Sequence, residues 1–271
     1  MTPSLSLRDA PDGKVLVRCH AGCEQLSVLA ALRSRGLWGI SDQHSIPPKR
    51  PSRPLDSAER TISPDAERTK AALSIWRRTS PAGGTPVETY LRSRALRLPL
   101  PSTIRFHHGL KHPEGNVWPA MVSLVTRSND DTPTGIHRTF LARDGRSKAE
   151  VQTPKMMLGP CRGAAVRLAI ATNVVMVGEG IETCLAAMQA TGLPAWAALS
   201  TSGLRSLVLP DNLRQVIVLA DGDDAGETAA RDLARQWSGH GRRVSIARAP
   251  RGSDFNDLLA AAGEGGRGLL P

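Results

Sequence analysis

Aromatic side chains make up only 3% of the 271 residues, with three Phe, five Trp and a single tyrosine, Tyr90. A protein that grips single-stranded nucleic acid by stacking bases on rings uses more of them, so any such grip here is expected to be mainly ionic. Cysteine is nearly as scarce. Cys19, Cys23, Cys161 and Cys184 are the only four, too few for a disulfide framework, and a reducing compartment fits that number. No run approaches the roughly 20 apolar residues of a membrane span, and the polar start MTPSLSLRDA lacks a secretory pattern. These absences predict a cytoplasmic protein with no membrane partner. The chain also contains no G-x-x-x-x-G-K-[ST], which excludes a P-loop ATPase or helicase motor.

What is abundant is positive charge, and it is unevenly placed. The formal net charge is +10. Residues 1–165 hold 25 Lys and Arg against 14 Asp and Glu, whereas residues 166–271 hold 10 against 11. A basic first part beside a nearly neutral second part points to a polyanion held by one and a different task done by the other. The alternative reading of the basic part is a solvated surface.

The pattern along the chain divides it further. Residues 1–40 read as two short strands and a helix ended by Gly36, joined by the Cys-containing turn CHAGC. Residues 41–63 hold four prolines and no apolar period, the composition of an extended linker. Residues 64–165 open with Ser63-Pro64, a helix cap and first turn, and a second cap follows at Thr85-Pro86-Val87-Glu88. The runs STIRFHH, WPAMVSLV and GIHRTFLAR then read as strands, the last two as a hairpin. This segment is predicted to be a small basic α+β domain. From residue 166 to 262 strand-like and helix-like runs alternate four times, NVVMVGE, PAWAALS, QVIVLAD and RRVSIARAP each preceding a helical pattern. Such alternation predicts an α/β domain, a parallel sheet with flanking helices, whose ligands sit beyond the carboxyl ends of the strands. Residues 263–271 remain as a tail.

Two of those strands end in acid: VVMVGEG delivers Glu179, and VIVLADGD delivers Asp221 and Asp223. A third acidic loop, RGSDFNDLL, follows the last strand with Asp254 and Asp257. A single carboxylate at a strand end is often only a helix cap. Three acidic loops at one sheet edge instead form an oxygen-rich set suited to Mg²⁺ or Mn²⁺. Gly178, Gly180, Gly222 and Gly226 flank the acids and are expected to let phosphate approach the backbone.

The motifs VGEGIET, LADGDDAG and GSDFNDLL, in this order and spacing, resemble those of the Toprim domain, found in bacterial-type primases, type IA and type II topoisomerases and certain nucleases. The resemblance implies a catalytic and metal role for Glu179, Asp221 and Asp223, with Asp254 completing the Mg²⁺ site. The sequence departs from many bacterial primases at Thr183, where they carry a further acid, and has Glu182 one position earlier. Among Toprim chemistries, a topoisomerase needs a tyrosine nucleophile, and Tyr90 lies in an amphipathic helical pattern. The segments ETYLRSRAL, IRFHHGLKHPEG, WPAMVSLV, GIHRTFLARDG and KMMLGPCRG resemble the basic subdomain of primase-like proteins of plasmids, phages and mobile elements. That resemblance implies that Arg138 and Lys155 touch template or nucleotide phosphates.

Residues 1–40 resemble the second half of a primase zinc ribbon, a truncated one. Cys19 and Cys23 supply two Zn²⁺ ligands where a closed site needs four. Two alternatives stay open: the coding region extends upstream of Met1, or zinc is lost in this lineage. The resemblance as a whole implies a DNA primase that makes short RNA primers on a single-stranded DNA template from ribonucleotides, working with a separate replicative helicase. A non-catalytic DNA-binding replication accessory and a metal-dependent Toprim nuclease are the rival expectations.

Overall fold

The computed structural model describes residues 5–9, 15–19, 25–37, 63–127, 130–222, 224–253 and 255–259. The chain forms two units, Met1–Glu59 and Arg60–Pro271. In the first, β1 (Leu5–Asp9) and β2 (Val15–Cys19) pair antiparallel, and α1 (Gln25–Ser34) follows. Gly36 stops α1 with φ of 65°. Its N–H bonds to Arg33 O and that of Leu37 to Leu32 O, a paired closure that only a residue at ease with positive φ provides. Cys23 and the 41–62 part of the expected linker lie outside the described residues.

The second unit starts with α2 (Pro64–Arg77), capped by the Ser63 hydroxyl, which accepts from Ala66 N–H. After β3 (Ser80–Pro81) comes α3 (Pro86–Ser93), capped by Thr85. The strands β4 (Ile104–Lys111), β5 (Val117–Arg127), β6 (Pro133–Phe140) and β7 (Lys155–Leu158) then form an antiparallel array, with β5 and β6 as the expected hairpin. Next are β8 (Ala164–Arg167), β9 (Val174–Gly178), α4 (Ile181–Thr191), β10 (Ala195–Ala197), α5 (Thr201–Ser206), β11 (Gln215–Ala220), α6 (Asp224–Gly239) and β12 (Arg243–Arg248). The sequence pattern places the helix before β11 over residues 203–210. The structure starts it at Thr201, because the Ser200 hydroxyl caps it by accepting from Gly203 N–H, and leaves residues 207–210 out of it.

Strands β10, β9, β11 and β12 are parallel neighbours, as alternation predicts. They do not make a separate sheet, however. β8 pairs antiparallel with β10 on one side and with β5 on the other, so the parallel and antiparallel strands belong to one 10-stranded mixed sheet. The boundary expected at residues 165 and 166 falls inside β8. The reason is in its side chains: Ala164, Ala165 and Val166 are all buried, and a strand apolar on both faces is stable only inside a sheet. One hydrophobic core accordingly runs through both parts, joining Tyr90, Leu91 and Met121 to Val166, Ile181 and Leu185. A second core beneath α5 and α6 contains Trp196, Leu233 and Trp237, and a third beneath α2 contains Ile136 and Phe140.

Candidate active site

Helices cover the parallel strands on both faces, which is why Val175, Met176, Val177, Val216, Val218 and Leu219 are buried and polar residues wait for the strand ends. The register Val177↔Val218 sets Glu179 and Asp221 just beyond paired positions, on neighbouring strand ends at one edge. Glu179 is half-buried. Its Oε2 accepts a hydrogen bond from Thr201 Oγ1 at 2.7 Å. The turn that brings Thr201 there is held by Ala198 N–H to Gly178 O and Leu199 N–H to Glu179 O, each 2.9 Å. Leu199 adopts φ of 71°, a left-handed conformation that costs a branched residue about 1–2 kcal/mol. That strain sits at the bend which seats Thr201 on Glu179.

Asp221 is half-buried at the end of β11. Two of the glycines beside these acids lie close against the protein's own chain. A Cβ on Gly222 would lie 2.0 Å from Pro250 O, and one on Gly178 would lie 3.0 Å from Cys184 Sγ. At both positions the space a side chain would take is filled by the protein's own atoms. Gly222 N–H donates to Ser253 O at 3.1 Å, and Gly252 N–H donates to Gly222 O at 3.0 Å. The third acidic loop is thereby fastened to the second directly beside Asp221. Asp223 and Asp254 lie outside the described residues.

Cys184 is fully buried, and its thiol donates to Trp196 O at 3.3 Å. Burial first, and the nearby carboxylates of Asp221 and Glu182 after it, push this thiol far above its ordinary range. Burial likewise raises Cys161, to about 11. Both remain protonated, small and apolar in character. The donor set at the strand edge is different in kind: carboxylate oxygens of Glu179 and Asp221 fit a hard divalent ion such as Mg²⁺ or Mn²⁺. Among the described residues no three His, Cys, Asp or Glu side chains cluster as a metal set. Cys19 is half-buried, and its expected partner Cys23 is outside those residues.

The two basic residues are separated by the sheet. Lys155 lies opposite Thr139, and Arg138 lies opposite Met156; facing partners share a side, and successive residues alternate sides. Arg138 therefore projects with Ile136 and Phe140 toward α2, its guanidinium 5.9 Å from the Phe140 ring centroid and donating to Met157 O at 3.4 Å. Lys155 projects to the other side. Its Nζ is 3.0 Å from Glu182 Oε2, and the second oxygen of Glu182 accepts from Tyr90 Oη at 2.8 Å. Glu182 is buried, and burial by itself would raise its pKa. Lys155 foremost, then its own backbone amide and the Tyr90 hydroxyl, outweigh that and lower it to about 2. His137, buried beside this pair, is lowered to about 4, mainly by burial and further by Lys155 and Arg138 against the pull of Glu182. It is neutral at pH 7.

Sequence pattern gives Tyr90 and Glu182 no joint role. The available signal is that Glu182 sits within IETCLAA, whose seven residues are all buried in α4. An acid in such a run needs a specific partner.

Residues 174–265 match the family model of the Toprim domain. This segment is a Toprim domain. Residues 66–168 match a second model, a domain of unknown function (DUF7146). The two matches meet close to β8, where the sheet itself has no break. No curated protein matches the chain. Among solved structures it is similar to a DNA primase domain from Pseudomonas aeruginosa, at 18% identity over 57% of this chain and 52% of that one, with TM-score 0.39. It is also similar to the zinc-binding and RNA polymerase domains of the Aquifex aeolicus primase, at 14% identity over 78% and 62%, with TM-score 0.46. A third is the RNA polymerase domain of the Mycobacterium tuberculosis primase DnaG in complex with double-stranded DNA, at 18% identity over 74% and 73%, with TM-score 0.37. The chain spans about half the length of the first of these and 62% of the second. Among the described residues no helix is long and apolar enough to cross a membrane.

Proposed function

We propose that the chain is a primase-type nucleotidyltransferase, which binds single-stranded DNA through its basic part and joins ribonucleotides at the acidic edge of the Toprim domain. The observation that carries this reading is the placement of Glu179 and Asp221 on adjacent parallel strand ends, in a sheet and core continuous with the basic part. Residues 64–165 are read as the template-binding region, residues 166–262 as the catalytic one, and residues 1–40 as a partial ribbon joined through a linker at 41–63. A cytoplasmic setting and a separate helicase belong to the same proposal.

Glu179, Asp221, Asp223 and Asp254 would hold Mg²⁺ or Mn²⁺. Ions bound there supply charge neutralisation to the triphosphate and acidity to the primer 3′-hydroxyl. The chain's own contribution is orientation. Thr201 fixes one oxygen of Glu179 and so leaves the carboxylate a single preferred rotation. The Gly222–Ser253 and Gly252–Gly222 hydrogen bonds keep the second and third acidic loops in register. Lys155, at the start of β7, 39% exposed and keeping donors beyond the one used on Glu182, contacts the incoming phosphates. Arg138, on the opposite face, contacts the template backbone.

Template-directed primer synthesis on single-stranded DNA with Mg²⁺ or Mn²⁺ tests the assignment. New 3′-extended products are expected, and Asp221→Ala should lower their yield roughly 10³-fold. Wild-type yield from that variant would overturn the site. Shortened DNA in the same assay would favour the nuclease, and binding with neither product the accessory.

A further inference from the structure

Lys155 is an unusual residue to find where it is. Its ammonium lies against the first turn of α4, next to Glu182 and three residues past Glu179. The first turn of a helix carries partial positive charge and repels a cation. Left alone, a flexible lysine would swing into solvent, since a single surface contact does not repay the rotamer freedom it gives up. The Glu182 carboxylate reverses that balance, and its own position is fixed from the other side. Its side chain is 9% exposed, against 39% for Lys155. Its Oε1 is occupied by Tyr90, which is 2% exposed and belongs to the core of α3. The chain Tyr90–Glu182–Lys155 thus runs from α3 to the buried face of α4 and ends at an accessible ammonium.

We propose that Glu182 is a positioning residue, which with the Tyr90 hydroxyl holds the Lys155 ammonium beside the Glu179 loop as a preset contact for the phosphates of a nucleoside triphosphate. The inference rests on the phosphate role given to Lys155 above. His137, facing the same pair from β6, is neutral and does not compete for the carboxylate. Thr139, directly opposite Lys155, carries no charge either, so Glu182 is the anionic partner that sets this lysine.

The test is equilibrium binding of ATP with Mg²⁺ to the full chain, with a thermal melt of each variant. Lys155→Ala should weaken binding about tenfold. Glu182→Gln keeps the shape and can still accept from Lys155 through its amide oxygen while the Tyr90 hydroxyl turns to accept from the amide. It removes the charge, and binding should weaken about fivefold. The double variant should be no weaker than Lys155→Ala alone, a non-additivity that a merely structural role for Glu182 does not produce. Tyr90→Phe deletes one hydroxyl, folds with an intact core, and should weaken binding about twofold. Wild-type binding by both Glu182→Gln and Tyr90→Phe, with Lys155→Ala impaired, overturns the positioning role and leaves the phosphate role of Lys155 standing. Wild-type binding by Lys155→Ala overturns both.

Discussion

The parallel and antiparallel parts of the sheet place their polar side chains in opposite ways. In β9 and β11 the strand interiors are apolar, and the acids emerge past the last paired residues, with Glu179 and Asp221 on neighbouring strand ends. In β5, β6 and β7 the polar groups stand on strand faces: Ser123, His137 and Thr139 are buried in mid-strand, and Lys155 crosses to Glu182 on a helix of the parallel part. Edge groups are assembled by topology alone, so a short stretch of sequence announces them. Face groups depend on which strands pair and in which register, and one position of slip would send Lys155 to the side of Arg138.

The contrast can be broken most severely after the Asp221→Ala test itself, at Gly222. Gly222→Ala sets a methyl group against the backbone oxygen of Pro250, which cannot swing aside as a side chain would, and should cost about 2–3 kcal/mol. A melting temperature lower by several degrees, together with loss of primer synthesis, is the expected result. An unchanged melt would show that the second and third acidic loops are not fastened together there.

The antiparallel part is sharpened by pH. His137 has a folded pKa of about 4, below its ordinary 6.5, so the unfolded chain takes up that proton first. Stability is complete above pH 6.5 and is lost as pH falls from there toward 4. Glu182, at about 2 against 4.5, adds a second loss that begins near pH 4.5. Chemical denaturation across pH 7 to 4 should show the decline, and His137→Gln should flatten its upper portion.

The smallest expected effect distinguishes the two faces. Because Arg138 and Lys155 project to opposite sides, Arg138→Ala should weaken single-stranded DNA binding a few-fold and reduce its salt slope by about one. It should leave ATP–Mg²⁺ binding unchanged. Additive losses in the double variant are expected, and coupling between them would place both residues on one ligand.

The residues that sequence alone makes legible follow from this contrast. The caps at Ser63 and Thr85, the stop at Gly36, the β5–β6 hairpin and the four parallel strands are each set by a few adjacent residues. So is the shared edge of Glu179 and Asp221. What pattern does not reveal is non-local: Tyr90 and Glu182 are 92 positions apart, and the contact of Gly222 with Pro250 depends on where the loop after β12 returns. The close approach at Gly178 and Gly222 is non-local as well, because Cys184 Sγ lies against the first and Pro250 O against the second. A glycine in a sequence signals close approach, but not whether ligand or chain approaches.

β8 has a consequence for modularity. A four-residue strand hydrogen-bonded on both sides means that neither half can be moved into another protein without exposing an apolar strand edge, the kind of surface that recruits aggregation. The Toprim segment of this chain is therefore not a transferable cassette, and recombination that exchanged it would have to carry β5 and its neighbours along.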